Sequence, residues 1–229
     1  MTRIVPLADV PDVQRRRCFA GLAGSAALAL AGCSTVPSEP AAVAEEPAPP
    51  ADALPALQVL PFSDARTGAT PHGWHHYALR RDLTRTRYAV VQDGERRVLH
   101  ARAASSATGL RCAVTIDPAR LGLLKFSWRV RHVHAEANVA AAEHDDCPAR
   151  LILAFEGDDT RLPLRDRLFY EQVELFTGQR LPYATLMYVW DGGLNPPESV
   201  HRNHRTSRIQ YLTVESGGQR ADRWLHYQR

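Results

Sequence analysis

Apolar and polar positions alternate with a period of two over much of the second half of the chain. Leu124, Phe126, Trp128 and Val130 are interleaved with Lys125, Ser127, Arg129 and Arg131, so an extended segment here has one apolar and one wet face. Tyr88 to Val91 and Val98 to Ala103 flank Asp93-Gly94, a turn pair whose glycine accepts positive φ, and together they predict a hairpin. Four more runs, 110–116, 149–155, 183–190 and 209–215, are short, rich in branched and aromatic residues and bounded by Gly, Pro or Asp. One segment keeps another period. Leu164, Leu168, Phe169, Val173 and Phe176 recur at helical spacing ahead of Gly178, which predicts a short helix with a glycine stop. The pattern as a whole predicts an all-β domain, an antiparallel sandwich with one short helix capping an open end.

The first quarter of the chain reads differently. Arg15-Arg16-Arg17 precedes an apolar stretch from Phe19 to Ala31, and Leu30-Ala31-Gly32-Cys33 ends it with small residues before a cysteine. These are the parts of a bacterial lipoprotein signal, which predicts removal of residues 1–32 and lipidation of Cys33. The apolar stretch is too short for a permanent span, which needs about 20 apolar residues, so attachment to the membrane is expected through lipid. Ser34 follows the cysteine where lipoproteins kept in the inner membrane carry Asp, and the expected address is the periplasmic side of an outer membrane. Arg16-Arg17-Cys18-Phe19 also resembles the core of a twin-arginine signal, leaving both export routes open. Residues 34–57 hold six prolines, seven alanines, four acidic residues and no Lys or Arg. Such a composition cannot bury a core and predicts, with Cys33, an extended tether over 33–57. The sandwich domain is assigned to 58–229.

Charge narrows the function further. The formal net charge is +3, but residues 1–32 carry four arginines and two aspartates, and without them 24 basic side chains face 23 acidic ones. A nucleic-acid partner, which needs a clustered positive face, has little support. No Gly-x-Ser-x-Gly, Walker loop, His-Glu-x-x-His or Cys-x-x-Cys occurs, so serine-hydrolase and zinc-peptidase chemistry have no local signature. No cofactor is implied.

Tyr88-Ala89-Val90-Val91 with Asp93-Gly94, Phe126-Ser127-Trp128-Arg129-Val130, Asp145-Asp146 with Ala149-Arg150, Phe155, and Leu186-Met187-Tyr188-Val189-Trp190 resemble domain of unknown function 3047, found in exported bacterial proteins. The resemblance covers roughly residues 60 to 229. It implies a jelly-roll-like β-sandwich similar to carbohydrate-binding modules and assigns no activity. The family's pattern continues past a region like Trp224 to Arg229, so the domain is expected to lack a terminal strand or to end early.

Several groups of residues could carry chemistry. Asp146 and Arg150 admit two readings: a charge-assisted hydrogen bond that fixes the loop entering the next strand, or the polar floor of a binding groove with Trp128, Tyr188 or Trp190 as an apolar platform. Consecutive residues in extended chain point to opposite sides, so only one of Asp145 and Asp146 is expected to meet Arg150. His132 and His134, two apart on a strand end, with His144 nearby, are weak metal candidates whose alternative is a solvated loop. Cys112 and Cys147 remain as an even pair once Cys18 and Cys33 are accounted for, a candidate disulfide whose alternative is two thiols. The expected function is non-enzymatic binding of a glycan, peptidoglycan or another envelope component. The alternative is a polysaccharide hydrolase with paired carboxylates, Asp146 with Asp191 or Glu198.

Overall fold

The computed structural model describes residues 2–5, 59, 62–78, 84–106, 108–116 and 122–229. Cys33 and the tether lie outside the described residues, as does all of the expected signal except residues 2–5. Among the described residues the fold is all-β with a single α-helix. In chain order the strands are β1 (Thr2–Val5), β2 (His75–Tyr77), β3 (Arg87–Asp93), β4 (Arg96–Arg102), β5 (Gly109–Arg111), β6 (Val114–Ile116), β7 (Lys125–Trp128), β8 (Ala149–Phe155), β9 (Ala184–Asp191), β10 (Val200–Arg202), β11 (Ile209–Ser216) and β12 (Leu225–Gln228). Helix α1 (Leu164–Thr177) lies between β8 and β9.

The main sheet has the order β10-β11-β9-β8-β1-β6. Alternation alone predicted antiparallel strands throughout, but β9 and β11 run parallel, with Ile209 opposite Thr185 and Leu212 opposite Tyr188. The physical reason is the intervening β10, which turns back antiparallel on β11 with His201 opposite Tyr211 and so uses up one reversal of chain direction. A register shift between Thr213 and Glu215 puts Val214 into a bulge. Strand β1 lies antiparallel between β8 and β6. Processing at Cys33 would remove it, in which case β10-β11-β9-β8 remains as the contiguous part of the sheet. The remaining strands form two-stranded ribbons, β12-β7, β2-β5 and β3-β4.

Local sequence accounts for most of these elements. Asp93 pairs with Arg96 across the β3–β4 hairpin, and Gly94 has φ of 60°, the left-handed conformation a two-residue hairpin turn requires. The predicted strand over 110–116 is broken at Cys112 and Ala113 into β5 and β6. Helix α1 ends at Gly178, in the left-handed conformation with its N–H bonded to the Glu174 carbonyl, the stop that glycine permits without a Cβ penalty.

Each face of the sheet has its own core. One face sets Ile152 and Ala154 of β8, Met187 and Val189 of β9, and Ile209 and Tyr211 of β11 against Tyr170 of α1, Leu162, Leu181, Val139 and Cys147. Phe169 and Val173 of α1 pack against the same cluster, so the helix covers a face of the sheet. On the other face Tyr188 and Trp190 meet the β7–β12 ribbon: Phe126 lies 5.6 Å from Tyr188 and Trp128 lies 6.2 Å from Trp190, ring centre to ring centre. Phe126 stacks on Tyr227 of β12 at 5.1 Å. Such offset aromatic pairs each add roughly 0.5–1.5 kcal/mol beyond burial. Strand β12 thereby closes this core, and the Arg229 backbone exchanges hydrogen bonds with Leu124.

Candidate functional site

The polar cluster of the domain forms where the loop before β8 meets the β10–β11 edge. Arg150, at the start of β8, points to the same face as Ile152 and Ala154, because alternate strand residues share a face. Its side chain is only 5% exposed, and Nη2 lies 2.9 Å from Oδ1 of Asp145 and donates to the Asp145 carbonyl at 2.8 Å. Tyr211 donates to the other carboxylate oxygen at 2.9 Å and accepts from Nδ2 of Asn203 at 3.0 Å. The Arg150 guanidinium sits 5.9 Å from the centre of the Tyr211 ring. Burial, reinforced by the negative charge of Asp145, pushes the Tyr211 phenol well above its ordinary range. Tyr211 therefore stays protonated and acts as a fixed donor.

The carboxylate that meets Arg150 is thus Asp145, where the sequence pointed to Asp146. Asp146 is exposed. The cause is the short 3-10 turn Ala142–His144, after which the Asp146 N–H bonds to the His144 carbonyl. That turn leaves Asp145 facing the sheet and turns its neighbour to solvent.

Above this buried group runs a row of half-buried polar side chains. His201 lies at the centre of β10, and Ser199 and Asn203 flank the strand and continue its pairing with β11, the Thr213 N–H bonding to the Ser199 carbonyl and the Asn203 N–H to the Ile209 carbonyl, so these alternate residues share the face of Tyr211. Nε2 of His201 is 3.1 Å from Oγ of Ser199, and Ser199 donates to the Pro196 carbonyl at 2.6 Å. Asn203 joins the row to the buried network. Sequence reasoning missed Ser199, His201, Asn203 and Tyr211, and of the adjacent pair Asp145 and Asp146 it favoured the wrong member. The only available signal was the two-residue period of Ser199, His201 and Asn203 against Val200 and Arg202, too short to separate from loop.

The remaining predicted site residues lie elsewhere. Trp190 is fully buried and donates from Nε1 to the Gly217 carbonyl at 2.9 Å, and Tyr188 is buried beside Phe126. They are core residues and offer no platform, because β12 and β7 cover the face they point to. Asp191 is fully buried at the end of β9. Its Oδ1 accepts from the N–H groups of Gly193, Leu194 and Asn195, each at 3.0 Å. Its Oδ2 accepts from Nδ2 of Asn195 at 2.8 Å and from the Val139 N–H at 3.3 Å. Burial opposes the charge, but these donors outweigh it and hold the Asp191 carboxyl below its usual range. Every lone pair has a donor, so this aspartate staples two loops together and has no lone pair left for a ligand. Next to it, a Cβ on Gly192 would sit 2.4 Å from the carbonyl oxygens of Ala137 and His134, a close approach open only to glycine.

His132, His134 and His144 are exposed, and among the described residues no three His, Cys, Asp or Glu side chains converge as metal ligands do. Cys112 and Cys147 are both buried and no disulfide joins them. They belong to different cores, Cys112 packing with Val114 and Trp74 and Cys147 with the helix-side cluster. Desolvation pushes the Cys112 thiol up to about 11.

Asp93 of the β3–β4 turn accepts from Arg129 at 2.8 Å and from Trp224 at 2.7 Å, joining the hairpin to the segments after β7 and before β12. The family described as protein of unknown function (DUF3047) matches the chain over residues 72–229. The chain belongs to that family. Within the DUF3047 match lie both cores, the Asp145–Arg150 pair and the β10 edge row. No curated protein and no solved structure matches the chain.

Proposed function

We propose that the chain is a lipid-anchored envelope protein whose DUF3047 domain binds a glycan without cleaving it, along the β10 edge. The observation that carries this reading is the row Ser199, His201 and Asn203, half-buried and set on a rigid base of Tyr211, Asp145 and Arg150. Hydroxyl, imidazole and amide groups at alternate positions suit sugar hydroxyls, which both donate and accept, and a base locked by hydrogen bonds avoids the ordering cost that weakens flexible sites. Recognition would rest on these polar groups, since Tyr188 and Trp190 are enclosed. The hydrolase alternative has less support: Asp191 has every lone pair bonded, and Glu198 is engaged by Arg229 at 2.6 Å.

Two measurements test the reading. Retardation on gels containing bacterial polysaccharides, and co-sedimentation with purified peptidoglycan sacculi, should be lost in Ser199→Ala and His201→Ala proteins whose melting curves match wild type. Release of reducing ends by the wild-type protein would replace binding by hydrolysis. For the anchor, Cys33→Ser should leave the protein soluble or unprocessed, because serine cannot form the thioether that carries lipid. A mature Cys33→Ser protein that resists high-salt and carbonate washing would reject lipid anchoring.

A further inference from the structure

Helix α1 has a second apolar side. Its inner side is fixed by Phe169, Tyr170 and Val173 against the sheet and by Asp166, whose carboxylate accepts from the N–H and the hydroxyl of Ser207 at 3.2 and 2.8 Å. At 3.6 residues per turn, Leu164, Leu168 and Leu175 fall within about 40° of one another on the opposite side. They are 63%, 56% and 81% exposed, and Phe176 beside them is 77% exposed. A soluble helix ordinarily turns polar residues outward, so three large apolar groups on the outer side of one 14-residue helix, with a fourth, Phe176, exposed on its flank, call for a partner.

The charges flanking this ridge identify it. On one flank lie Arg167, Glu171 and Glu174, and on the other Arg165, Gln172 and Phe176, as the same helical spacing requires. Among the described residues, none gives the side chains of Arg167, Glu171 and Glu174 a hydrogen bond or an ion pair. In an antiparallel helix pair each flank faces its own equivalent, whereas in a parallel pair unlike flanks meet. We propose that α1 pairs antiparallel with α1 of a second copy of this chain about a two-fold axis near Tyr170. Leu164 then packs on Leu175 of the second copy, Arg167 faces Glu171 and Glu174, and Arg165 lies over the Phe176 ring, each contact occurring twice. A parallel pair would set Arg165 beside Arg167 of the second copy, like against like, and leave Glu171 and Glu174 opposite Gln172 and Phe176 with no cation to meet. A lipid surface would draw Glu171, adjacent to the ridge, into the headgroup region against its charge. A single helix about 21 Å long offers less than the roughly 800 Å² per partner of a standard stable interface, so the contact is weak and reversible.

Cysteine cross-linking in cells expressing the full chain tests this. Leu164→Cys with Leu175→Cys in one chain should give a disulfide-linked dimer on non-reducing gels after mild oxidation, while each single substitution should not, since like positions lie more than about 15 Å apart along an antiparallel pair. Arg167→Glu in that background should cut the dimer several-fold, and adding Glu171→Arg and Glu174→Arg should restore it. All these positions are exposed, so folding is preserved. Dimers from Leu175→Cys alone would overturn the antiparallel arrangement. Failure of the double variant to cross-link, or charge reversal without effect, would overturn the pairing. Retention of the protein by anionic lipid vesicles that is lost on Leu168→Glu, with no cross-link, would assign the ridge to the membrane instead.

Discussion

Tyr211 donates a hydrogen bond from its phenol to Asp145 at 2.9 Å across 66 residues of sequence, tying the loop before β8 to β11, two strands away in the same sheet. The bond matters because Asp145 also holds Arg150, so one carboxylate satisfies a buried cation and a buried hydroxyl at once. A shared acceptor of this kind makes the loop, β8 and β11 cooperative.

Removing the cation should therefore be costly. Arg150→Ala leaves Asp145 enclosed without its partner and is expected to lower unfolding free energy by about 3 kcal/mol. Tyr211→Phe, which deletes one hydrogen bond and leaves Asn203 unmet, should cost about 1–2 kcal/mol. Asp146→Ala, on the exposed neighbour, should stay within about 0.5 kcal/mol of wild type. Urea titrations of the three proteins check the order. An Arg150→Ala midpoint equal to that of Asp146→Ala would deny the pair its structural role.

Asp191 predicts a pH dependence. Its carboxyl is held below the ordinary value of 3.8 in the folded chain, so the unfolded state binds its proton first on acidification. The stability it contributes is complete above about pH 4 and is lost as pH falls through the lower folded value. Asp166, also lowered although burial opposes its charge, acts with the same sign. Asp191→Asn should be less stable at neutral pH and should show a shallower decline of melting temperature between about pH 4 and 2. Equal slopes in the two proteins would argue against the five-donor arrangement.

Close approach at the neighbouring residue gives a separate test. Gly192→Ala must displace the backbone carbonyls of His134 and Ala137, each 2.4 Å from the added Cβ, and is expected to cost about 1–3 kcal/mol. Thermal melts would reveal it, and a melt unchanged from wild type would mean the 134–137 loop can move away freely.

The aromatic residues once suited to a platform should behave as core. Tyr188→Ala opens a cavity between Phe126 and β9 and is expected to cost about 3–5 kcal/mol, with any loss of polysaccharide retention following from unfolding. Leu175→Ala, on the outer side of α1, should leave stability nearly unchanged. If Tyr188→Ala melts like wild type yet no longer binds, the ring belongs to a ligand surface after all.

The two cysteines make a chemical prediction. Cys112 is desolvated and its thiol pushed up to about 11, so little thiolate is present at pH 7.5 and alkylation should be slow in the folded protein. In denaturant, without reductant, both Cys112 and Cys147 should alkylate fully. A Cys112–Cys147 peptide in a non-reducing digest would place a bond where the structure has none.

The sequence by itself determined the elements whose signal is local. The two-residue period of 149–155 and 209–215, the Asp93-Gly94 turn and the Gly178 helix stop act through backbone geometry and nearest neighbours, and each stands where the pattern put it. It also determined the family, through the order of its strand motifs. Tertiary structure decided which face of each strand is covered and by what. Alternation around Tyr188 and Trp190 does not say that β7 and β12 enclose them, because the β7–β12 ribbon that does so is itself made by pairing Trp128 with Leu225, far apart in sequence. It decided as well which of two adjacent aspartates meets Arg150, since a single 3-10 turn at 142–144 rotates the choice by one residue. The helix shows the same division: its spacing predicted α1, but the apolar positions serve two opposite sides, and only packing against the sheet shows that Phe169 and Val173 face inward while Leu164, Leu168 and Leu175 face out. Burial is a property of what lies across from a residue, and that partner is fixed by the path of the chain through space.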